Sequence, residues 1–373
     1  MKISKKDALM WFEFFATLPE GEELFANQQE IVYATFAQIE EVVDKRHEVL
    51  MGEIKNLKTL QNRTYYVGGD DKFPKGCQSC LLGNGLSAIR KTNKCNIECK
   101  FCYNYGELDN IPPIGEGMWE IGGTKFYEKD IDMLLTVQGK PTGVAYVYIE
   151  PFMEIEKYYS IIKKFHSYGV FQHLYTNGIL ANEENLRALG EAGLDELRFN
   201  FGASNCSDKV IENIATAKKY IKYVGIETPM TPELFEGFLK KKDRILATNL
   251  DFINFAELHL NANNIYNYSE DNMYISRHGY ISPIFSRELT LKMMKIADDE
   301  AWGIAVHDCS NRTKFVRGLN LSHKEGKPFG SNDYSNEFYT TPYQAFLPVL
   351  RDESFKFITE EPLPKGYNIG ELY

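Results

Sequence analysis

Between residues 86 and 307 the sequence alternates short apolar, β-branched runs with longer amphipathic stretches. Strand-like runs cover 86–91, 144–149, 171–175, 197–201, 223–227 and 253–260, and helix-like stretches such as 154–166, 183–192, 207–222 and 232–246 lie between them. A further helix and strand follow at 286–302 and 304–307. Strand followed by helix, repeated this often, requires parallel strands joined by right-handed crossovers, because each strand must start from the same end of the sheet. The expected fold is α/β, a partial (β/α)6-type barrel of parallel strands over residues 67–317.

The flanks read differently. Residues 1–66 are expected to form a helical N-terminal extension: Trp11, Phe14, Phe15 and Leu18 recur at helical spacing, and Ile31, Ala34, Ile39, Val42 and Val43 do so among Glu, Gln and Lys. Pro19-Glu20-Gly21 divides the two segments, and the aromatic stripe reads as packing against the main domain. Gly68-Gly69-Asp70-Asp71, Pro74 and Gly76 mark the boundary. Residues 318–373, with Pro328, Pro342, Pro348, Pro362 and Pro364, read as an irregular C-terminal tail that wraps the surface or covers the site.

With 42 basic against 52 acidic residues the net charge is −10, and the basic residues are dispersed apart from Lys240-Lys241-Lys242. A polynucleotide partner calls for a basic footprint, so the charge argues against nucleic acid. No apolar run approaches the ~20 residues of a membrane span. The N-terminus has neither the apolar core nor the cleavage site of a signal peptide. The expected location is the cytoplasm, with no membrane partner.

Cysteine usage points to metal. Of seven cysteines, five fall between Cys77 and Cys102, a clustering unlike the even, spread pattern of a secreted disulfide protein. Cys95, Cys99 and Cys102 give C-x3-C-x2-C, with Phe101 before the last cysteine. Thiolates at this spacing can fold round one face of a cubane, each meeting one iron. Three ligands leave an iron open, whereas a closed structural zinc site takes four. The motif follows the 86–91 strand, which would place it at the C-terminal mouth of a barrel.

This segment resembles the signature of the radical S-adenosylmethionine superfamily in its spacing, its preceding strand and Phe101. The resemblance covers residues 86–260 and implies a [4Fe-4S] cluster on Cys95, Cys99 and Cys102 whose open iron is chelated by S-adenosyl-L-methionine. Reductive cleavage of that cofactor would yield a 5′-deoxyadenosyl radical that takes hydrogen from a small-molecule or peptide substrate. The electron would come from a donor such as flavodoxin or ferredoxin.

Further positions follow from the resemblance. The second strand ends Tyr148-Ile149-Glu150-Pro151 where the family usually carries Gly-Gly-Glu-Pro. Glu150 keeps the acid that would accept the methionine ammonium, while Tyr148 and Ile149 replace both glycines. Thr176-Asn177-Gly178 resembles the family's turn after strand three, and Asn200 falls where a polar residue contacts the ribose. Period 2 puts Arg198 and Asn200 on one face of the fourth strand, where buried polar groups need partners that a cofactor would supply. Phe101 and Glu227 complete the expected cofactor contacts. Glu257 and His259, together on the sixth strand, are candidates for substrate contact.

The remaining cysteines leave several readings open. Cys77 and Cys80 could begin a second metal site, either an auxiliary cluster completed by Cys206 and Cys309 or a zinc knuckle with other ligands. Against the former, Cys77 and Cys80 precede a strand that would hold them ~20 Å from Cys206 and Cys309 unless Gly83-Asn84-Gly85 folds the pair upward. Alternatively Cys309, within His307-Asp308-Cys309-Ser310-Asn311, is a catalytic hydrogen-atom donor. Three functions compete: a radical enzyme acting on a small molecule or peptide, an activase that installs a glycyl radical on a partner enzyme, and a non-catalytic iron–sulfur or zinc scaffold. The activase ranks below the first because such chains are commonly shorter and lack a long helical N-terminus.

Overall fold

The computed structural model describes residues 6, 7, 9, 10, 13, 26–60, 64–69, 71, 73–81, 86–121, 124–276, 280–311, 313 and 347–358. Chain order begins with helix α1 (Ala26–Met51), the hairpin β1 (Lys58–Leu60) and β2 (Thr64–Val67), helix α2 (Lys75–Leu81) and strand β3 (Leu86–Arg90). A long loop leads to the hairpin β4 (Met118–Ile121) and β5 (Thr124–Tyr127) and to α3 (Ile131–Gln138). Strands and helices then alternate: β6 (Gly143–Tyr146), α4 (Tyr159–Ser167), β7 (Phe171–Thr176), α5 (Glu183–Ala192), β8 (Glu196–Phe199), α6 (Asp208–Ala217), β9 (Tyr223–Pro229), α7 (Pro232–Leu246) and β10 (Phe252–Ala256). After the short strands β11 (Asn272–Ile275) and β12 (Ile281–Pro283) come α8 (Ile284–Asp299), β13 (Ala305–Cys309) and β14 (Lys356–Phe357).

Eleven strands form one sheet in the order β1-β2-β13-β10-β9-β8-β7-β6-β3-β4-β5. The seven from β3 to β13 are parallel to their neighbours in that run. The expected α/β class holds, but the parallel set counts seven strands, and the antiparallel hairpins β1–β2 and β4–β5 end the sheet at edges that do not pair with each other. Residues 58–60 and 64–66, read from sequence as helical, lie in strands: β2 pairs with β13, so this segment extends the sheet. The sixth strand is also shorter than expected, ending at Ala256. The aromatic stripe at Trp11, Phe14, Phe15 and Leu18 lies outside the described residues, as does most of the tail beyond residue 318.

Local chemistry explains several boundaries. Asn182 caps α5 by accepting from the Asn185 N–H at 2.9 Å, and Gly193 ends it in the left-handed region at φ 93°. Thr231 caps α7 and Pro232 opens it, where a missing N–H costs nothing.

The two faces of the sheet differ in chemistry. Leu174, Leu197, Phe199, Ile226, Ile253, Phe255 and Val306 are buried apolar side chains alternating with buried polar His173, Glu196, Arg198, Asn254 and His307. The apolar face meets the helices: Phe238 of α7 packs edge-on to Phe255 with ring centroids 5.8 Å apart. The polar face meets α2. Gly76 makes that approach possible, because a Cβ there would lie 2.2 Å from His173 Nδ1 and 2.4 Å from Arg198 Nη2.

Helix α1 is joined to this body through α8. Buried Arg287 donates from Nε to Asp308 Oδ2 at 3.0 Å and from Nη1 to His47 Nδ1 at 3.0 Å, and Arg46 pairs with Glu288. Burial, then the charges of Arg287 and Arg46, hold the His47 ring well below its usual value, so it is a neutral acceptor. Replacing one member of a buried ion pair strands the other. Arg287→Ala should therefore lower unfolding free energy by ~3–5 kcal/mol, and adding Asp308→Asn should recover part of the loss. Denaturant unfolding of both variants checks this; a loss under ~1 kcal/mol for Arg287→Ala contradicts it.

Candidate functional site

The loop after β3 carries Cys95, Cys99 and Cys102, all free thiols and all partly buried. Its shape is set by short-range bonds. The Cys102 N–H reaches Cys99 O at 2.9 Å, the Tyr105 N–H reaches Cys102 O at 3.1 Å, and the Gly106 N–H reaches Glu98 Oε1 at 2.8 Å. The Asn104 N–H points at Cys102 Sγ, 3.4 Å away. Burial pushes the Cys99 thiol up to about 12, and the neighbouring Cys102 and Cys95 add to it, so the three sulfurs share one patch. Among the described residues no group of three or more His, Cys, Asp or Glu side chains is arranged to hold a metal ion. Thiolates that each bind a different iron of a cubane need not converge on one point, and a soft, three-thiol donor set with a backbone N–H aimed at sulfur fits such a cluster.

Glu150 lies beside this loop. Its N–H donates to Lys94 O at 3.2 Å, and its buried carboxylate accepts from Phe152 N (3.0 Å), Thr176 Oγ1 (2.7 Å) and Asn177 N (2.7 Å). Burial outweighs these donors and pushes its carboxyl up to about 7. The two residues before it keep a glycine-like backbone despite their side chains: φ is 67° at Tyr148 and 57° at Ile149. For a β-branched residue this is a strained conformation. The turn after β7 joins the same assembly, as Asn177 Nδ2 donates to Asn96 Oδ1 at 2.7 Å.

On the polar face, Arg198 is matched by protein groups. It pairs with Glu196 and Glu227, and its Nη1 donates to the Tyr175 hydroxyl at 3.1 Å. Asn200 Oδ1 accepts from Thr228 Oγ1 at 2.7 Å and Ala203 N at 3.1 Å. Phe101 packs on the main core beside Gly202. Glu257 is buried, bonded to the Tyr274 hydroxyl and accepting from Asn311 N at 2.6 Å. His259 bonds to Asn311 Oδ1 and stacks on Tyr280 with centroids 4.4 Å apart, its ring 6.5 Å from that of Tyr103 in the cysteine loop.

The other cysteines are distributed unexpectedly. Helix α2 carries Cys77 onto the polar face, where its sulfur is 3.5 Å from Arg198 Nη1 and 3.6 Å from Asn254 Nδ2. Burial raises the Cys77 thiol well above its usual value, and Cys309 contributes to the shift. The ~20 Å separation expected between Cys77 and Cys309 is thus corrected, because α2 crosses the sheet rather than extending the strand axis. Cys206 belongs to the apolar core, where a Cβ on Gly237 of α7 would lie 2.7 Å from its sulfur. Cys80 is partly buried, and Cys309 ends β13 beside Ala256.

Sequence reasoning missed the segment after β10. Asn261, Asn263, Asn264 and Asn267 donate side-chain N–H groups to main-chain oxygens of Lys100, Phe101 and Tyr103. Four asparagines within seven residues were the available signal.

No protein-family profile matches the chain. A protein of Methanocaldococcus jannaschii, provisionally named a glycyl-radical enzyme activating enzyme, is similar to it: 30% identical over 240 residues, 60% of each chain. The chain therefore spans three fifths of the length of the curated relative it matches. Among solved structures, methylornithine synthase aligns over 66% of this chain and 67% of its own, at 12% identity and a TM-score of 0.33. The radical S-adenosylmethionine methyltransferase TsrM of Kitasatospora setae, solved with tryptophan and a cofactor analogue, aligns over 74% of this chain and 60% of its own, at 13% identity and 0.35. Among the described residues no helix is long and apolar enough to cross a membrane.

Burial holds the Glu257 carboxyl up at about 6, above its ordinary 4.5, against Arg287, the Asn311 N–H and the Tyr274 hydroxyl. A carboxyl raised in the folded state stabilises fully below its unfolded value and loses that contribution as pH rises through its folded value. The stability of the metal-free wild type relative to Glu257→Gln should fall by roughly 2 kcal/mol between about pH 4 and 7. Urea unfolding at each pH measures it, and a constant difference would remove the assignment.

Proposed function

From the cysteine motif and the methanogen relative, which together support membership in the radical S-adenosylmethionine superfamily, we propose that this chain is a radical enzyme acting on a glycyl-radical partner. The observation that carries the reading is the C-x3-C-x2-C loop at the C-terminal end of the first parallel strand, β3, beside Glu150 and the Thr176-Asn177-Gly178 turn. Cys95, Cys99 and Cys102 would each hold one iron of a [4Fe-4S] cluster. With S-adenosylmethionine on the open iron, that group supplies reductive cleavage of the sulfonium and a carbon radical able to take hydrogen. Around it, Phe101 offers a ring beside the Gly202 backbone, and Asn200 fixes the loop after β8 through Ala203 N. Glu150, with three internal donors, has limited capacity left for the cofactor's methionine ammonium and acts chiefly by joining the strand ends. An electron donor of the flavodoxin or ferredoxin kind suits the role.

The order of the functional readings changes here. A long helical N-terminus weighed against an activase, but buried Ile39, Val43 and Leu50 of α1 serve packing, and α1 is tied to α8 by Arg287 and Arg46. The relative's name favours the activase. Action on a small molecule or peptide is the second reading, favoured by the polar face around Arg198, Glu227 and Tyr175, with Cys309 as its hydrogen-atom donor.

Anaerobic reconstitution with iron and sulfide, followed by dithionite and S-adenosylmethionine, should yield 5′-deoxyadenosine. Cys95→Ala, Cys99→Ala and Cys102→Ala should each abolish it, and wild-type cleavage by any of the three would defeat the cluster assignment. A glycine-loop peptide deuterated at Cα should pass deuterium to 5′-deoxyadenosine; cleavage without transfer favours the second reading. In that case Cys309→Ala should retain iron and cofactor cleavage while losing product, and full product would make Cys309 a bystander.

A further inference from the structure

We infer that the asparagine segment after β10 is a clamp that positions the iron-binding loop from outside it, without ligating metal. The inference rests on the reading of Cys95, Cys99 and Cys102 as iron ligands. Four side chains of one short segment reach three main-chain carbonyl oxygens around the last two cysteines. Asn267 Nδ2 donates to Lys100 O at 2.8 Å, Asn264 Nδ2 to Phe101 O at 3.0 Å, and Asn261 and Asn263 both to Tyr103 O at 2.9 and 2.8 Å.

The segment is itself organised for this task. Asn261 Oδ1 accepts from the N–H groups of Asn263 (3.1 Å) and Asn264 (3.2 Å), and Asn264 Oδ1 accepts from Asn261 N at 2.8 Å. Each amide therefore uses its oxygen or its nitrogen in a defined direction, which a hydroxyl or carboxylate could not reproduce. The short 3-10 turn Ile265–Tyr268 then carries Asn267 to Lys100, and Ile265 and Tyr268 anchor it in the core. Local hydrogen bonds shape the loop's own turns, and Glu150 N and Asn177 Nδ2 hold its first half at Lys94 and Asn96. The clamp constrains the second half, from Lys100 to Tyr103, against the segment after β10. A ligand loop free to move would leave each thiolate to be ordered on binding, so positioning should appear in how firmly iron is kept.

Asn263 is exposed and Asn267 half-buried, so Asn263→Asp/Asn267→Asp removes two donors isosterically with little threat to folding, whereas Asn264 is fully buried. In metal-free protein, amide exchange at residues 100–106 should accelerate roughly ten-fold, the consequence of losing two neutral hydrogen bonds of ordinary strength. Exchange in β7 to β9 should be unchanged. After reconstitution, the double variant should release iron to a chelator faster and alter the electron paramagnetic resonance of the reduced cluster. Asn267→Gln, which keeps an amide donor, should retain the wild-type spectrum. Unchanged exchange, or faster exchange with wild-type iron release and spectrum, overturns the positioning role. A wild-type chain that takes up no iron fails the cluster reading first and the clamp's purpose with it.

Discussion

The geometry around the cysteine loop depends on one buried carboxylate. Glu150 accepts from three donors on two different segments, its own following turn and the end of β7, while its N–H meets the cysteine loop at Lys94. Taking a carboxyl out of water disfavours its charge, and burial does dominate here, raising it to about 7. Removing its donors would leave a buried acceptor unmatched, which is why three neighbouring segments keep one arrangement.

That arrangement exacts conformational strain. Tyr148 and Ile149 occupy the left-handed region that glycine adopts freely, at ~1–3 kcal/mol each. Their side chains change the surface and leave the backbone path intact, and nearly half of the Tyr148 side chain is exposed. Replacing the two glycines thus affects stability and surface more than chain direction.

A second theme is the partial pairing of the polar face, where Asn254 Oδ1 and His307 Nδ1 are buried without a hydrogen-bond partner among the described residues. Arg198 pairs with Glu196 and Glu227 and reaches the Tyr175 hydroxyl, so its charge is matched within the protein, a pairing that period-2 reasoning along one strand does not reveal. The same face accommodates α2 only because Gly76 lacks a side chain. Such pairings join residues far apart in sequence, and neither spacing nor composition encodes them.

What the sequence determined by itself was everything local: the α5 and α7 limits, the parallel strand rhythm, and a three-cysteine spacing suited to a cubane. Periodicity, caps and ligand spacing act over a few residues, so they are readable along the chain. Tertiary structure decided the rest. It turned residues 58–60 and 64–67 into strands because β13 presented an open edge for β2 to pair with. It carried Cys77 across the sheet toward Cys309, left Cys206 in the apolar core, and brought four asparagines against a loop more than 150 residues earlier. Each outcome depends on which edge, face or carbonyl is left unsatisfied once the sheet has formed, a quantity that exists only in three dimensions.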